Sequence, residues 1–281
     1  MNQVKVDIIP DVVYGQGVDR RESRHGRVIN MDLLGDFYTA DLPIKGPRPC
    51  GILIHGGSWE RGTRKQQGWW GNPAAREGHV AFCPDHRLSY QSTFPGPLED
   101  MKCAVRFVRK HAAEYNIDPN KIYVAGGSSG AHLAMMVGLT PGRWEGVGGH
   151  ENTSSEVQAV VSIAGTMLLP SLAYNGYLQR LIGGTIQQVG IERYLEASPY
   201  CYVHKDAPPL LLMHGTKDWH VPYEQSTIMR RLCIKMFGLK ADLITAKGDG
   251  HHFFLTEEQQ IKWLGKMFGW LRETLQLEKQ S

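Results

Sequence analysis

Ile122-Tyr123-Val124-Ala125-Gly126-Gly127-Ser128-Ser129-Gly130-Ala131-His132-Leu133-Ala134 decides the fold. Ile122 to Ala125 is a short, continuously apolar run, the pattern of a strand covered on both sheet faces. An apolar run resumes at Ala131, so a helix opens near Ser129. Between them Gly126-Gly127-Ser128-Ser129-Gly130 has the form G-x-S-x-G. In a strand–turn–helix setting this motif makes a turn so tight that its flanking residues must lack bulky side chains. The central serine is then held out at the C-terminal edge of the sheet, beside a helix N-terminus. A glycine-rich loop in the same place also suits a phosphate, so the motif needs company before it means nucleophilic chemistry.

Outward from this turn, strand-like and helix-like runs alternate. Strands are read at Gly51–His55, His79–Cys83, Ala159–Ile163, Leu210–Met213 and Ala241–Ile244. Leu98, Met101, Val105, Val108 and Ala112 draw one apolar helical stripe, with Lys102, Arg106, Arg109 and Lys110 mainly on the other faces. Ile261, Leu264, Phe268, Leu271 and Leu275 draw a second, widened by Trp263, Met267 and Trp270. Strand–helix–strand repetition implies an α/β fold, a mostly parallel sheet with helices on both faces. The rhythm breaks at the glycine-rich stretch Thr140–Asn152 and again from Leu168 to Tyr202. The reading is one domain over residues 1–281, with a small cap or lid at about 166–202.

Composition narrows the class. With 281 residues, 42% hydrophobic and 21% charged, the chain suits a globular enzyme, not a fibrous or disordered protein. Lys and Arg number 31 against 28 Asp and Glu, a net +3 too weak to argue for nucleic acid. The densest basic run, Asp19 to Arg24, is diluted by acids. No stretch approaches the roughly 18 apolar residues of a membrane span. Met1–Asp11 alternates polar and apolar residues without a signal peptide's apolar core, so the chain as given reads as cytoplasmic. The five cysteines are widely spaced with no CxxC, consistent with plain core thiols and not with metal ligation.

A serine hydroxyl needs a base, an acid to orient that base, and donors for an oxyanion. Each is offered at a strand end. Asp218 lies in His214-Gly215-Thr216-Lys217-Asp218-Trp219-His220-Val221-Pro222, after the strand at 210–213. His251 lies in Gly248-Asp249-Gly250-His251-His252-Phe253-Phe254, after the strand at 241–244. His55-Gly56-Gly57-Ser58-Trp59 follows an early strand and offers free backbone N–H groups. Singly, each has a plainer use: Asp218 as a helix cap, His251 as one of twelve histidines. Together, in the order Ser, Asp, His at successive strand ends, they make a triad. His251-His252 finds no third ligand at metal spacing, and no cofactor is called for.

On these motifs the chain resembles the HGG(G)-bearing esterases of the α/β-hydrolase superfamily, near the hormone-sensitive-lipase-like and the feruloyl or acetyl-xylan esterase families. The resemblance runs from about Val13 to Leu275 and includes Phe94-Pro95 through Asp100, Ala104–Val108, Asn116-Ile117-Asp118-Pro119, and Gly146–His150 with Ser155–Val161. It implies Ser128 as nucleophile, His251 as base and Asp218 as its orienting acid, with the N–H groups of Gly56, Gly57 and Ser129 as oxyanion donors. The chain departs from the family pattern in three places. His252 follows the catalytic histidine where a small residue is usual. Ser58 stands at the third glycine of HGGG. Gly165-Thr166-Met167-Leu168 lacks an acid that many relatives carry, which bears on pocket shape and not on the triad.

The implied activity is hydrolysis of small or aryl carboxylic esters through an acyl-enzyme, with a small-molecule ester as substrate and neither nucleic acid nor membrane as partner. Trp59 and Trp219, each beside a catalytic motif, are the expected pocket walls, ahead of Trp69 and Trp70. His132, one turn past Ser128, reads as helix packing. Activity is expected to fall below a histidine pKa of about 6.5. The alternatives are an arylformamidase-like amide hydrolase and, further off, a silent hydrolase-fold binding protein.

Overall fold

The computed structural model describes residues 4–19 and 29–277. Most of the run Asp19–Arg24 and the first residues of Met1–Asp11 lie outside them. Eight strands form one sheet in the order β1-β2-β4-β3-β5-β6-β7-β8. The parallel part comprises β3 (Arg48–Ile54), β4 (Val80–Pro84), β5 (Ile117–Gly127), β6 (Ala159–Ile163), β7 (Leu210–Gly215) and β8 (Ala241–Ala246). These match the six strands expected from the apolar runs, with His55 and His79 falling just outside β3 and β4. Every residue of β4, β6 and β7 is buried, which is why their sequences are mostly apolar and not alternating.

Two further strands, β1 (Val6–Asp19) and β2 (Ile29–Ala40), pair antiparallel, and β2 pairs antiparallel with β4. They extend the expected sheet. β1 is the edge strand, with register shifts between Ile9 and Val12 and between Val13 and Gly15.

Two apolar layers sandwich the sheet. On one face α2 (Gly96–Lys110), α3 (Ser129–Leu139) and α7 (Glu224–Phe237) bury Leu98, Met101, Val105, Leu133, Met136, Met229 and Cys233. On the other, α1 (Gly68–Arg76) and α8 (Glu257–Thr274) bury Trp70, Ala74, Trp263, Leu264, Met267 and Phe268. The expected stripe of α8 holds except at its start, where Ile261 is 69% exposed. Four cysteines are buried and Cys201 is exposed.

The charged residues of α2 only partly face solvent. Lys102 and Arg106 are buried because the glycine-rich 140–152 stretch wraps over them. Lys102 Nζ donates to Glu145 Oε1 at 2.9 Å and Arg106 Nη1 to Glu145 Oε2 at 2.8 Å. Arg106 also donates to the carbonyl of Gly149. A buried cation needs such partners, since desolvating it unpaired costs several kcal/mol.

Between β6 and β7 lie three short helices, α4 (Gly176–Ile182), α5 (Ile186–Val189) and α6 (Ile191–Glu196), with single 3₁₀ turns at Leu169–Leu172 and Pro199–Tyr202. Leu169, Leu178, Leu181 and Tyr194 join the same apolar cluster as α2 and α3. Gln225 Oε1 of α7 accepts from the N–H groups of Met167 and Leu168, at 2.8 Å each, and so fixes where the segment begins.

The topology itself points to a site. β3 pairs with β4 on one side and β5 on the other, so the chain changes winding direction there. In open α/β sheets ligands bind outside the carboxyl ends of the strands at such a switch point. The loops leaving β3 and β5 carry the His55-Gly56-Gly57 and Gly126-Gly127-Ser128 motifs.

Candidate active site

Ser128 stands between β5 and α3 with φ 54° and ψ −117°, a conformation that costs a non-glycine residue of order 1–3 kcal/mol. Close packing enforces it. A side chain on Gly126 would run into the Gly130 carbonyl, and one on Gly130 into the carbonyls of Ile54 and His55. Ser128 N–H donates to Ile163 O of β6 at 2.8 Å and Ser128 O accepts from His132 N at 3.1 Å, so the turn is bonded on both sides.

The loop after β3 makes a second tight turn. Gly57 has φ +127°, and Ser58 and Trp59 follow at 56° and 58°. Gly57 O accepts from the N–H groups of Glu60 and Arg61, and Gly56 O from His55 Nδ1 at 2.9 Å. With the carbonyls spent inside the turn, no acceptor among the described residues takes the N–H of Gly56 or Gly57.

Asp218 is held by a set of N–H donors. Oδ1 accepts from His220 N and Val221 N at 2.9 Å each, and Oδ2 from His251 Nδ1 at 2.6 Å and His214 Nε2 at 3.1 Å. Burial alone would raise its pKa, but the bonds from His214, His251 and the Val221 N–H outweigh it and hold the carboxyl well below the usual range. An ionised Asp218 requires the proton of His251 on Nδ1, which leaves Nε2 with the lone pair.

Ser128, His251, Gly56 and Gly57 line one cavity of about 770 Å³. The structure thus brings together the expected nucleophile, base and first two donors, with Asp218 directly behind His251. Ser129 lies one residue on, buried at the start of α3. Ser58 and Thr166, two of the departures from the family pattern, are also on the wall, as are Trp59, Trp69 and Trp70.

Trp219 is not. It is 79% exposed and stacks outside on His220, ring centroids 3.8 Å apart. Because Asp218 Oδ1 binds the N–H groups two and three residues on, the chain turns tightly and residue 219 projects outward. His220 and Val221 line the cavity instead.

His132 has no free nitrogen. Its Nε2–H donates to Ala197 O at 2.7 Å and its Nδ1 accepts from Trp59 Nε1–H at 3.2 Å. Burial lowers its pKa to about 4. It therefore orients Trp59 and ties α3 to the segment before β7.

The remaining wall was not legible from sequence motifs. Arg61 and α4 meet at the mouth, where Arg61 donates to the Tyr177 hydroxyl and Arg180 pairs with Glu60. The guanidinium carbons lie 5.2 and 4.9 Å from the Tyr177 ring centre, within cation–π range. These residues are 116 and 120 positions apart, beyond any local pattern.

A sheet switching direction at β3, a strained serine elbow after β5 and a histidine–aspartate pair after β8 and β7 define an α/β-hydrolase. Residues 36–232 match the model of the BD-FAE family, and the chain belongs to that family. Its relatives include two Mycobacterium tuberculosis proteins. The probable carboxylic ester hydrolase LipM is 30% identical over 77% of this chain and 49% of its own, and the esterase LipC 30% identical over 85% and 62%. The chain thus spans about half to three-fifths of the length of these relatives.

Among solved structures, a truncated carbohydrate esterase from gut microbiota superposes with a TM-score of 0.83 at 26% identity, covering 98% of this chain and 99% of that one. Thermogutta terrifontis esterase 2 with butyrate bound gives 0.72 at 25%, covering 92% and 94%. Among the described residues, no helix is long and apolar enough to cross a membrane.

Proposed function

We propose that the protein is a serine carboxylic ester hydrolase acting on small or aryl esters, of acetyl or feruloyl type, in one domain with the 166–202 segment as its cap. The observation that carries this reading is the meeting, in one cavity, of a serine on a strained strand–helix turn and a histidine whose Nδ1 is bonded to an ionised carboxylate. Ser128 Oγ attacks the ester carbonyl as His251 Nε2 takes its proton. The negative oxygen of the tetrahedral intermediate is received by the N–H groups of Gly56, Gly57 and Ser129. The proton on His251 then passes to the leaving alcohol. Water, activated by the same nitrogen, frees the acyl group from Ser128. Asp218 stays ionised and steadies the imidazolium formed in each half.

The cavity volume lies within the range usual for small-ligand sites, about 300–1,000 Å³. Relatives named esterases, and a similar structure holding butyrate, support a short acyl group. The test is incubation with a fluorophosphonate probe, with the modified peptide mapped by mass spectrometry. Modification at Ser128, followed by turnover in an acetyl, butyryl and feruloyl ester series, is expected. An unmodified, folded protein would remove the hydrolase reading. N-formylkynurenine in the same panel tests the amide-directed alternative.

A further inference from the structure

Asp218 is bonded to two imidazole rings, and of these two only that of His251 lines the cavity. The other, His214, lies within β7, paired with Thr245 of β8, and is fully buried. Its Nδ1 is 2.7 Å from Ser226 Oγ, and its Nε2 is 2.9 Å from Val221 O and 3.1 Å from Asp218 Oδ2. A carbonyl and an ionised carboxylate only accept, so Nε2 carries the proton and donates to both. Nδ1 then accepts from the Ser226 hydroxyl. The tautomer is fixed from both ends of the ring.

We propose that His214 is a positioning residue for the reaction, holding Asp218 Oδ2 in line with His251 and taking up part of its charge. The proposal rests on the reading of Ser128, His251 and Asp218 as a triad. Its logic is mechanical. His251 sits on the irregular turn between Gly248 and α8, and Asp218 on the turn after β7, so neither is itself anchored in the sheet. The two backbone donors on Oδ1 secure one end of the carboxylate. His214 secures the other from inside a central strand, leaving His251 to align against a fixed acceptor. A bond serving only to join β7 to α7 would need Ser226 alone and would not reach Asp218.

The groups around this pair are few. His252 and His220 face His251 with ring centroids 4.9 and 5.1 Å away, and Tyr223 packs edge-on to His214 at 5.7 Å. Among the described residues that line the cavity none is acidic, and Arg61 is the only Lys or Arg. Asp218 is the carboxylate bonded to His251.

Two substitutions of similar volume separate positioning from packing. His214→Gln places its amide nitrogen near the site of Nε2 and keeps a donor on Asp218. His214→Asn reaches only the Nδ1 site, so it keeps Ser226 and abandons Asp218. On 4-nitrophenyl acetate, H214N is expected to lose kcat by about tenfold or more, as for a lost bond to a charged group, at unchanged KM. Its acid limb is expected to move to higher pH, because a carboxylate with one donor fewer holds a protonated His251 more strongly. H214Q is expected to keep both kcat and the limb close to those of the unaltered protein. Equal behaviour of the two variants, or an unmoved limb in H214N, would overturn the proposal.

A measurement on the unaltered protein guards against a variant that does not fold. Long-range ¹H–¹⁵N correlation should report His214 with its proton on Nε2, and a proton on Nδ1 would sink the idea. If Ser128 resists the fluorophosphonate, the triad and this proposal fall together. If Ser128 is modified but H214N matches H214Q, only the role of His214 fails.

Discussion

Two buried carboxylates of this molecule are satisfied in opposite ways. Asp100, on α2, takes Arg87 Nη2 at 2.7 Å and Nε at 2.9 Å on Oδ1 and the Arg87 backbone N–H at 2.7 Å on Oδ2. Its partner is a permanent cation in the two-pronged geometry suited to a carboxylate. Asp218 is equally surrounded by N–H groups, but its side-chain partners are imidazoles. Arg87 brings a standing positive charge, although burial still raises the Asp100 pKa against the bonds from Arg87. The Asp218 set is held in place yet lacks its cation until His251 accepts a proton, which is the moment the proposed reaction calls for it. A buried carboxylate becomes catalytic equipment when its counter-charge arrives only during the reaction.

The sharpest way to break this contrast removes the source of that proton. Ser128→Ala is expected to reduce turnover of 4-nitrophenyl acetate by roughly 10⁶-fold, with the melting temperature not lowered, as read by initial rates and circular dichroism. Next comes the paired exchange. Asp218→Asn should lower kcat by about 10⁴-fold, because the amide no longer sets the His251 tautomer. Asp100→Asn should instead lose about 3–5 kcal/mol of stability by leaving Arg87 buried with a weakened partner, while the folded fraction keeps its kcat. Urea unfolding alongside steady-state kinetics on both variants reads the crossing, and a kcat loss in D100N equal to that of D218N would erase the distinction. Smaller again is Gly56→Ala, whose added carbon would lie 2.8 Å from Gly127 O and disturb the donor loop. A kcat loss of about 10²–10³-fold is expected, the usual effect of losing one oxyanion donor.

A graded effect concerns three buried histidines outside the proposed triad. Burial lowers the pKa of His79 and His86 to about 3 and of His132 to about 4. Between those values and the unfolded value near 6.5 the unfolded chain binds more protons. Stability is therefore fully present above about 6.5 and is lost as pH falls, by at most about 1.4 kcal/mol per pH unit for each such group. Asp218, with its pKa lowered, pulls in the same direction only at far lower pH. Melting temperatures from pH 7 to pH 4 should fall, and a flat profile would contradict neutral burial of these rings. Because Asp218 stays ionised over this range, an acid limb in activity reports a histidine and not the carboxylate.

Much of this is legible in the sequence. Parallel strands buried on both faces announce themselves as apolar runs, and β3, β5, β7 and β8 are each followed by a glycine-bearing motif. The antiparallel strands β1 and β2 gave no such signal, since β1 is largely exposed and its alternation is interrupted by bulges and Pro10. Lys102 and Arg106 lie off the apolar stripe of α2, and nothing local shows that residues 140–152 fold back over them. Trp219 shows the limit of adjacency: being next to Asp218 in sequence says nothing of direction, and the turn that Asp218 itself nucleates points the indole away. Likewise the second bond on Asp218, from His214, depends on a β7 strand whose sequence reads simply as His-Gly after four apolar residues.

The conformation of Ser128 has an evolutionary corollary. Glycine tolerates positive φ that serine does not, so Ser128→Gly should relieve strain of order 1 kcal/mol and raise the melting temperature above that of the active protein. A descendant released from selection for turnover would then drift toward glycine at this position and be rewarded with robustness. Retention of serine at such a site is a signature of continuing use, and a surveyor of natural variants can read it without assaying any of them.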